Sequence, residues 1–221
     1  MILVTGGIKG GTGKTTVAVN LAVMRSRDGY DRDGYDVLLV DADDQQSASE
    51  FISIRTEERG DPGLTCIRLD GKAVRDQVKR LREKYDDIII DTGGRDTSSQ
   101  RAALTIADCL FVPFGPRSLD LWTLERVEDL VQNAQAINPD LRAYAFINRA
   151  DHRGSYNAET REVLQDSESM ELIDQTLGNR KSFAIAFDYG QGVVEYRPRD
   201  KKAIREMESF YDTAFDTVTV A

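Results

Sequence analysis

The sequence contains a single histidine and only two cysteines. Without a second histidine, a metal site or a histidine-based catalytic triad has little support, and His152, in the polar run ADHRGSYN, is expected in an exposed loop. Cys66 and Cys109 lie in the apolar, strand-like segments LTCIRL and ADCLFVPF, which predicts buried free thiols in a reducing compartment. No run of about 18 apolar residues occurs, so no membrane span is expected.

Acidic residues outnumber basic residues in this sequence. The 29 Lys and Arg against 38 Asp and Glu give a formal net charge of −9, so any DNA binding would have to use a local basic patch. The first residues, MILVTGG, carry no charged leader, from which we expect a cytoplasmic protein. No linker divides the 221 residues, and we expect one domain over 1–221, with the tandem repeat RDGYDRDGYD at 27–36 in a surface turn.

Apolar runs alternate with helical patterns along the chain. Strands are predicted at 2–6, 36–43, 64–69, 86–94, 109–114, 144–148 and about 171–176. Helices are predicted at about 14–27, 72–85, 98–107, 119–137, 155–167 and 200–217. This alternation predicts an α/β fold, a doubly wound and mostly parallel sheet with helices on both faces.

The stretch IKGGTGKTT joins the first predicted strand to the first predicted helix. Its glycines allow backbone N–H groups to turn around a phosphate, and the helix that follows points its N-terminus at that anion. Lys14 can reach the β- and γ-phosphates, Thr15 can hold Mg²⁺ and Thr16 can contact the α-phosphate. The predicted nucleotide-binding residues of this loop are Gly10, Gly11, Thr12, Gly13, Lys14, Thr15 and Thr16.

The usual phosphate loop has a glycine where this sequence has Ile8, and Lys9 follows it. KGGTGKTT resembles the deviant loop K-G-G-x-x-K-[ST] of the ParA/MinD family of P-loop ATPases, in which Lys9 matches a signature lysine. The resemblance implies ATP and Mg²⁺ as ligands and a homodimer that sandwiches two ATP molecules. It also implies that Lys9 crosses to the partner's phosphates, as an arginine finger does, so that hydrolysis depends on dimerisation.

Two carboxylates follow the second predicted strand in VLLVDADDQQ. In an open parallel sheet, ligands bind beyond the carboxyl ends of the strands, which is where Asp41 and Asp43 fall. The segment resembles the family pattern D-x-D-P-Q, with Asp44 in place of the proline and Gln45 matching the glutamine. The resemblance implies that Asp43 positions or activates the attacking water and that Asp41 supports Mg²⁺ through a water molecule.

A further carboxylate, Asp91, ends the apolar run IIIDTGG. A carboxylate at the end of a core strand, downstream of a phosphate loop, is typical of a Walker B residue that reaches Mg²⁺ through water. The predicted metal-binding residues are therefore Thr15, Asp41 and Asp91. Gly93 and Gly94 give the following backbone the freedom to respond to the γ-phosphate.

The resemblance to the ParA/MinD family extends over nearly the whole chain. PFGPRSLDL at 113–121 is similar to a family segment after the fourth core strand. FINR at 146–149 resembles the family's base-binding strand end, which implies that Asn148 contacts adenine. NRKSFAIAFDYGQGVVEY at 179–196 resembles a late family stretch. The order of motifs is that of the short partition ATPases without an N-terminal DNA-reading domain.

Family members differ in function. The last residues, REMESFYDTAFDTVTVA, are acidic, which disfavours the basic membrane helix of MinD-like proteins. Nitrogenase-type iron proteins need two cysteines after the Walker B segment, and Cys66 precedes that segment, so this pattern is not met. Metabolic amidoligases and synthases of this fold usually lack a counterpart of Lys9. The leading hypothesis is a nucleoid-associated partition or positioning ATPase with a ParB-like, centromere-binding adaptor; the MinD-like and metabolic alternatives stay open.

A DNA surface is predicted where cations cluster late in the chain. In the ParA-like group, non-specific DNA contacts come from the C-terminal part, which here holds Arg180, Lys181, Lys201, Lys202 and Arg205. The alternative is an ordinary solvated helix, whose charges are balanced by Asp200, Glu206 and Glu208.

Overall fold

The computed structural model describes residues 1–27, 34–116, 124–153 and 155–219. Seven strands form one sheet: β1 Ile2–Thr5, β2 Val37–Ala42, β3 Thr65–Arg68, β4 Asp87–Thr92, β5 Cys109–Phe114, β6 Arg142–Ile147 and β7 Glu171–Leu172. The helices are α1 Lys14–Arg27, α2 Ser47–Arg59, α3 Gly71–Leu81, α4 Ser98–Leu104, α5 Leu124–Gln135, α6 Tyr156–Gln165, α7 Lys181–Asp188 and α8 Lys201–Thr219.

The sheet has the order β3-β2-β4-β1-β5-β6-β7, and every neighbouring pair is parallel. Parallel neighbours need crossover connections, which the helices provide. The first strand, β1, lies between β4 and β5. The chain passes from β1 to β2 and to β3 at one edge, returns to β4 beside β1, and then crosses to the other side of β1 for β5, β6 and β7. This reversal opens a crevice beyond the carboxyl end of β1, where ligands bind in sheets of this kind.

Each face of the sheet carries its own apolar core, because alternate residues of a strand point to opposite faces. Ile88 and Ile90 of β4 pack on the face that α3, α4 and α5 cover, whereas Ile89 packs on the face that α1, α2 and α8 cover. Both faces are therefore buried, which is why the strand sequences are apolar throughout rather than alternating. The predicted doubly wound α/β fold is confirmed.

All the predicted strands and helices with described residues are present, with shifted ends. The predicted helix at 119–137 is described from Leu124 and ends at Gln135, while the residues before it lie outside the described ranges, as do 28–33 of the tandem repeat. Sequence reasoning missed α2 and α7. The few buried residues of α2 give a weak apolar stripe, and α7 has only eight residues.

Both cysteines are free thiols on strands, but only Cys109 is fully buried. Cys66 is half-buried on β3, because this strand lies at the sheet edge, and this corrects the expected burial. Burial raises the pKa of Cys66 to about 12 and also raises that of Cys109. His152 is exposed outside any helix or strand, as predicted. Among the described residues, none of the helices has the length and apolar character needed to cross a bilayer.

Candidate active site

The phosphate loop connects β1 to α1 at the carboxyl edge of the sheet. Gly11 and Gly13 adopt left-handed φ angles of 77° and 93°, which a residue with a Cβ rarely adopts. Within the described part of the chain, a Cβ built on Gly10 or Gly11 would have no neighbour within 4 Å, because both residues face an open cavity. The loop backbone is therefore accessible to a ligand in that cavity.

This cavity has a volume of about 690 Å³ and brings together segments that are far apart in sequence. The segments that follow β2 and β4 line it opposite the loop, and α7 forms a further wall. Its lining residues are Gly10, Gly11, Gly13, Lys14, Thr15, Thr16, Asp43, Asp44, Gln45, Ser47, Gly93, Gly94, Arg95, Thr97, Arg149, Ala184, Phe187 and Asp188.

Lys14 is the first residue of α1, and its side chain is held inside the loop. It is only 5% exposed, and Nζ donates a hydrogen bond of 2.8 Å to the carbonyl oxygen of Lys9. Burial lowers the pKa of Lys14, while the charges of Asp91 and Asp43 oppose that shift. An ammonium group next to a helix N-terminus makes this end of the cavity suitable for an anion.

Asp41 and Asp91 are paired residues on the neighbouring strands β2 and β4, and both are fully buried. The oxygens of Asp41 accept hydrogen bonds from the backbone N–H groups of Asp43, at 3.2 Å, and Ser49, at 2.7 Å. Asp41 therefore fastens the segment after β2. Asp91 Oδ1 accepts a hydrogen bond of 3.3 Å from the Thr5 hydroxyl, but among the described residues Oδ2 has no hydrogen-bond partner.

The surroundings of Asp91 disfavour its charged form. Burial raises the pKa of Asp91 to about 7; the Thr15 hydroxyl and Lys14 act to lower it, and Asp41 and Asp43 to raise it. Binding of a proton or of a positively charged ligand would relieve the repulsion between the like charges of Asp91 and Asp41.

These residues fit Mg²⁺. Mg²⁺ keeps several waters and is usually held by one or two carboxylates together with substrate phosphates. The unpartnered oxygen of Asp91 and the hydroxyl of Thr15 beside it supply such a site. The described ranges contain no group of three or more His, Cys, Asp or Glu placed to hold a metal.

Asp43 and the glycines after β4 lie against the phosphate loop. Asp43 is half-buried in the cavity lining, and its Oδ1 lies 2.9 Å from a Cβ built on Gly93. A Cβ built on Gly94 would lie 2.5 Å from Cα of Gly10. Only glycine permits so close an approach, so the backbone after β4 contacts the loop directly.

Asn148 lies directly after β6 and is 7% exposed. Its Nδ2 donates a 2.6 Å hydrogen bond to the carbonyl oxygen of Thr12, and its Oδ1 accepts one of 2.9 Å from the Arg149 N–H. Asn148 thus fastens the phosphate loop to the end of β6. It also lines a second cavity of about 230 Å³ beside the first, and its contact with adenine stays a prediction.

Sequence reasoning missed seven residues of the cavity wall, and three of them, Ser47, Arg95 and Thr97, lie in the segments that follow β2 and β4. Arg149 lies in the segment FINR, directly after Asn148 at the carboxyl edge of the sheet, and this position was a signal that could have identified it. Ala184, Phe187 and Asp188 belong to α7, which brings them to the cavity only through the packing of that helix.

The late cations fall into two groups. Lys181 at the start of α7 and Lys201, Lys202 and Arg205 in the first turns of α8 are exposed. Arg180 is half-buried and forms a salt bridge with Glu206, with 2.8 Å between its Nε and Oε2. Its charge is therefore neutralised within the fold.

A parallel sheet whose central strand leads into a phosphate loop, with carboxylates from neighbouring strands at the same edge, defines a P-loop nucleoside triphosphatase. Residues 2–194 match the model of the CobQ/CobB/MinD/ParA nucleotide binding domain. The chain belongs to this family, and its ParA and MinD members are P-loop ATPases.

One relative is the maintenance of carboxysome distribution protein A of Halothiobacillus neapolitanus, which is 24% identical over 206 residues, 93% of this chain and 92% of that protein. Among solved structures, a putative plasmid partition protein of Borrelia burgdorferi bound to AMPPNP has a TM-score of 0.76 at 20% identity, covering 98% of both chains. The ATP complex of a variant of Cyanothece McdA has a TM-score of 0.76 at 19% identity, covering 97% of this chain and 96% of that one. These structural likenesses establish the fold.

Proposed function

We propose that this protein is an ATP-hydrolysing partition or positioning protein that segregates DNA or places a cargo in the cell. The observation that carries the proposal is the single cavity in which the phosphate loop with Lys14 and Thr15 faces Asp43, next to the buried pair Asp41 and Asp91. The names of the relatives, which refer to carboxysome distribution and to plasmid partition, favour positioning over the metabolic work of other family members.

Nucleotide binding is assigned to the loop and the first turn of α1. Lys14 and the loop N–H groups would bind the β- and γ-phosphates, and Thr16 the α-phosphate. Thr15 and Asp91, with Asp41 behind them, would hold Mg²⁺ through its waters. When bound, Mg²⁺ neutralises negative charge that develops on the phosphate oxygens.

Water attack is assigned to Asp43. Its carboxylate lies in the cavity wall at the segment after β2, close enough to Lys14 for their charges to interact. A carboxylate in this position can orient a water and accept its proton, which lowers the barrier of phosphoryl transfer without altering how the phosphates are bound.

Dimerisation is assigned to the same face. Lys9 belongs to the loop that borders the cavity, and the open side of that cavity leaves room for a second protomer to supply its own Lys9 to the γ-phosphate. In this arrangement hydrolysis occurs only in the ATP-bound homodimer, because neither protomer alone holds a complete set of cations.

DNA binding is assigned to Lys181, Lys201, Lys202 and Arg205, which are exposed near the start of α7 and α8. Arg180 supports this surface through its salt bridge to Glu206 rather than through its own charge. Dimerisation doubles the phosphate contacts on one duplex, so non-specific DNA affinity follows the ATP state. A ParB-like adaptor would then trigger release from the nucleoid.

A gel shift of random duplex DNA with ATP, with ADP and without nucleotide tests the proposal. We expect a shift with ATP alone, and no shift with Lys14→Ala in any state. If wild-type protein hydrolyses ATP but binds DNA in no state, the partition function is wrong. Binding to anionic vesicles would then support a MinD-like function, and ATP-dependent turnover of a small carboxylate a metabolic one.

A further inference from the structure

The two cavities beside the phosphate loop adjoin each other and share four lining residues. Gly13, Thr16, Arg149 and Ala184 line both the larger and the smaller cavity. In the proposed function, the β- and γ-phosphates occupy the larger cavity near Lys14. The predicted adenine contact, Asn148, lines the smaller cavity, so we place adenine there. The covalent order of ATP then requires the α-phosphate and ribose to pass through this junction.

Arg149 is the cation of the junction. A Cβ built on Gly13 would lie 4.0 Å from Nε of Arg149, so the side chain lies directly over the phosphate loop. The residue is exposed, and the ion pairs found among the described residues engage other arginines, such as Arg55 and Arg180, but not Arg149. Its charge is available to a ligand.

The backbone of Arg149 is held in an unfavourable conformation. Its φ is 54°, and Gln46 is the other described non-glycine residue with a positive φ. The Oδ1 of Asn148 accepts a hydrogen bond of 2.9 Å from the Arg149 N–H. The N–H of Ala150 donates a hydrogen bond to the Leu177 carbonyl, and the Ala150 carbonyl accepts one from the Asn179 N–H. The neighbours on both sides thus impose this conformation, a cost that proteins maintain mainly at ligand-binding positions.

We infer that Arg149 binds the α-phosphate of the nucleotide at the junction of the two cavities. This inference rests on the proposed function, because it takes the position of the terminal phosphates from it, and on the predicted contact of Asn148 with adenine. A guanidinium group suits the role, since it is always charged and can donate two parallel hydrogen bonds to a phosphate. Thr16 reaches the same junction from α1 and would share this phosphate.

The test uses the full chain and a series of ligands that differ in their phosphates. Arg149→Asn removes the charge but keeps a residue that tolerates a left-handed backbone. Arg153→Asn, which changes an exposed arginine four residues later, is the matched control, and Arg149→Lys keeps the charge. Thermal unfolding without nucleotide checks that each variant is folded. Dissociation constants are measured for ATP and ADP by calorimetry and for AMP and adenosine by competition.

We expect Arg149→Asn to weaken the binding of ATP, ADP and AMP by about tenfold or more and to leave the affinity for adenosine unchanged. The affinities of Arg149→Lys should lie between those of wild type and of Arg149→Asn. Arg153→Asn should match wild type throughout. An equal loss for adenosine would show that Arg149 contacts the base, and an unchanged affinity for all four would show no contact; either result overturns the inference. If wild-type protein fails to bind ATP, the proposed function itself is wrong.

Discussion

Asp41 and Asp91 are in register on two neighbouring parallel strands, so their buried carboxylates lie side by side at the edge where the phosphate loop begins. The two differ in one respect. Both oxygens of Asp41 accept backbone hydrogen bonds, whereas among the described residues Oδ2 of Asp91 is without a partner. We therefore infer that Asp41 mainly holds the segment after β2 in place, whereas Asp91 binds a ligand.

This difference predicts opposite effects of the same substitution. Asp41→Asn places an NH₂ group against one of two backbone N–H donors and should lower the free energy of unfolding by about 1–3 kcal/mol. Asp91→Asn removes a buried charge beside another and should raise the melting temperature of the nucleotide-free protein by about 2–4 °C. Differential scanning calorimetry would measure both, with Asp44→Asn, at an exposed position, as the control. A lower melting temperature for Asp91→Asn would contradict this assignment.

Lys14→Ala should weaken ATP binding by about a hundredfold, because the terminal phosphates lose a charge-assisted hydrogen bond and the buried cation of the loop. Calorimetric titration gives the dissociation constant directly. Lys84→Ala, at an exposed lysine just past α3, should bind ATP as wild type does. ATP binding and ATP-dependent dimerisation of Lys14→Ala at wild-type levels would show that the loop is wrongly assigned.

Lys9→Ala and Asp43→Ala should each hydrolyse ATP poorly, and their equimolar mixture should recover activity. A mixed dimer has one site with Asp43 from one protomer and Lys9 from the other, while its second site lacks both. Random pairing therefore gives about a quarter of wild-type hydrolysis. Phosphate release is the measurement, and native mass spectrometry confirms the mixed dimers. Mixed dimers without recovered activity would exclude a role of Lys9 in the partner's site.

The triple variant Lys201→Ala, Lys202→Ala, Arg205→Ala should weaken DNA binding on every sequence alike. Each lost phosphate contact should reduce the slope of log affinity against log salt by about 0.9. The matched control replaces Lys72, Lys79 and Arg80 of α3, which covers the other face of the sheet, and should leave the slope unchanged. ATP-dependent dimerisation should survive in both. An unchanged slope in the α8 variant would mean that these cations are not the DNA surface.

Glu195 should make stability depend on acid pH. Burial acts to raise its pKa, but Arg55, the Gly192 N–H and Arg59 outweigh burial, so the pKa lies below its usual 4.5. The pair with the buried Arg55, 2.7 Å between Nη1 and Oε2, therefore stabilises the fold above the unfolded-state pKa, and this contribution is lost as the pH falls through the folded pKa.

Glu195→Gln removes this contribution and leaves Arg55 buried without its counter-charge. At pH 7 it should lower the free energy of unfolding by about 3–5 kcal/mol, and the difference from wild type should shrink below about pH 4.5. Urea unfolding at several pH values would measure it. An equal difference at pH 3 and pH 7 would contradict the role of the charge.

The sequence predicted the strands and most of the helices because a buried parallel strand is a short, continuous apolar run, which can be recognised locally. The shortest elements carried less information. In α2 the buried side chains include Arg55, whose burial depends on Glu195, a residue far along the chain that no local pattern reveals. The helix α7 was not predicted because it has only eight residues, although it forms one wall of the cavity.

The phosphate loop, the carboxylates after β2 and β4 and the α/β fold could all be predicted from the sequence, because each follows from residues that are adjacent in the chain. How these parts meet depends on the packing of the folded chain. Strand register brought Asp41 beside Asp91, and a hydrogen bond between residues 136 apart joined Asn148 to Thr12. It also paired Arg180 with Glu206 and placed Arg149 over Gly13. Such contacts depend on how helices and strands pack, which local residue patterns do not encode.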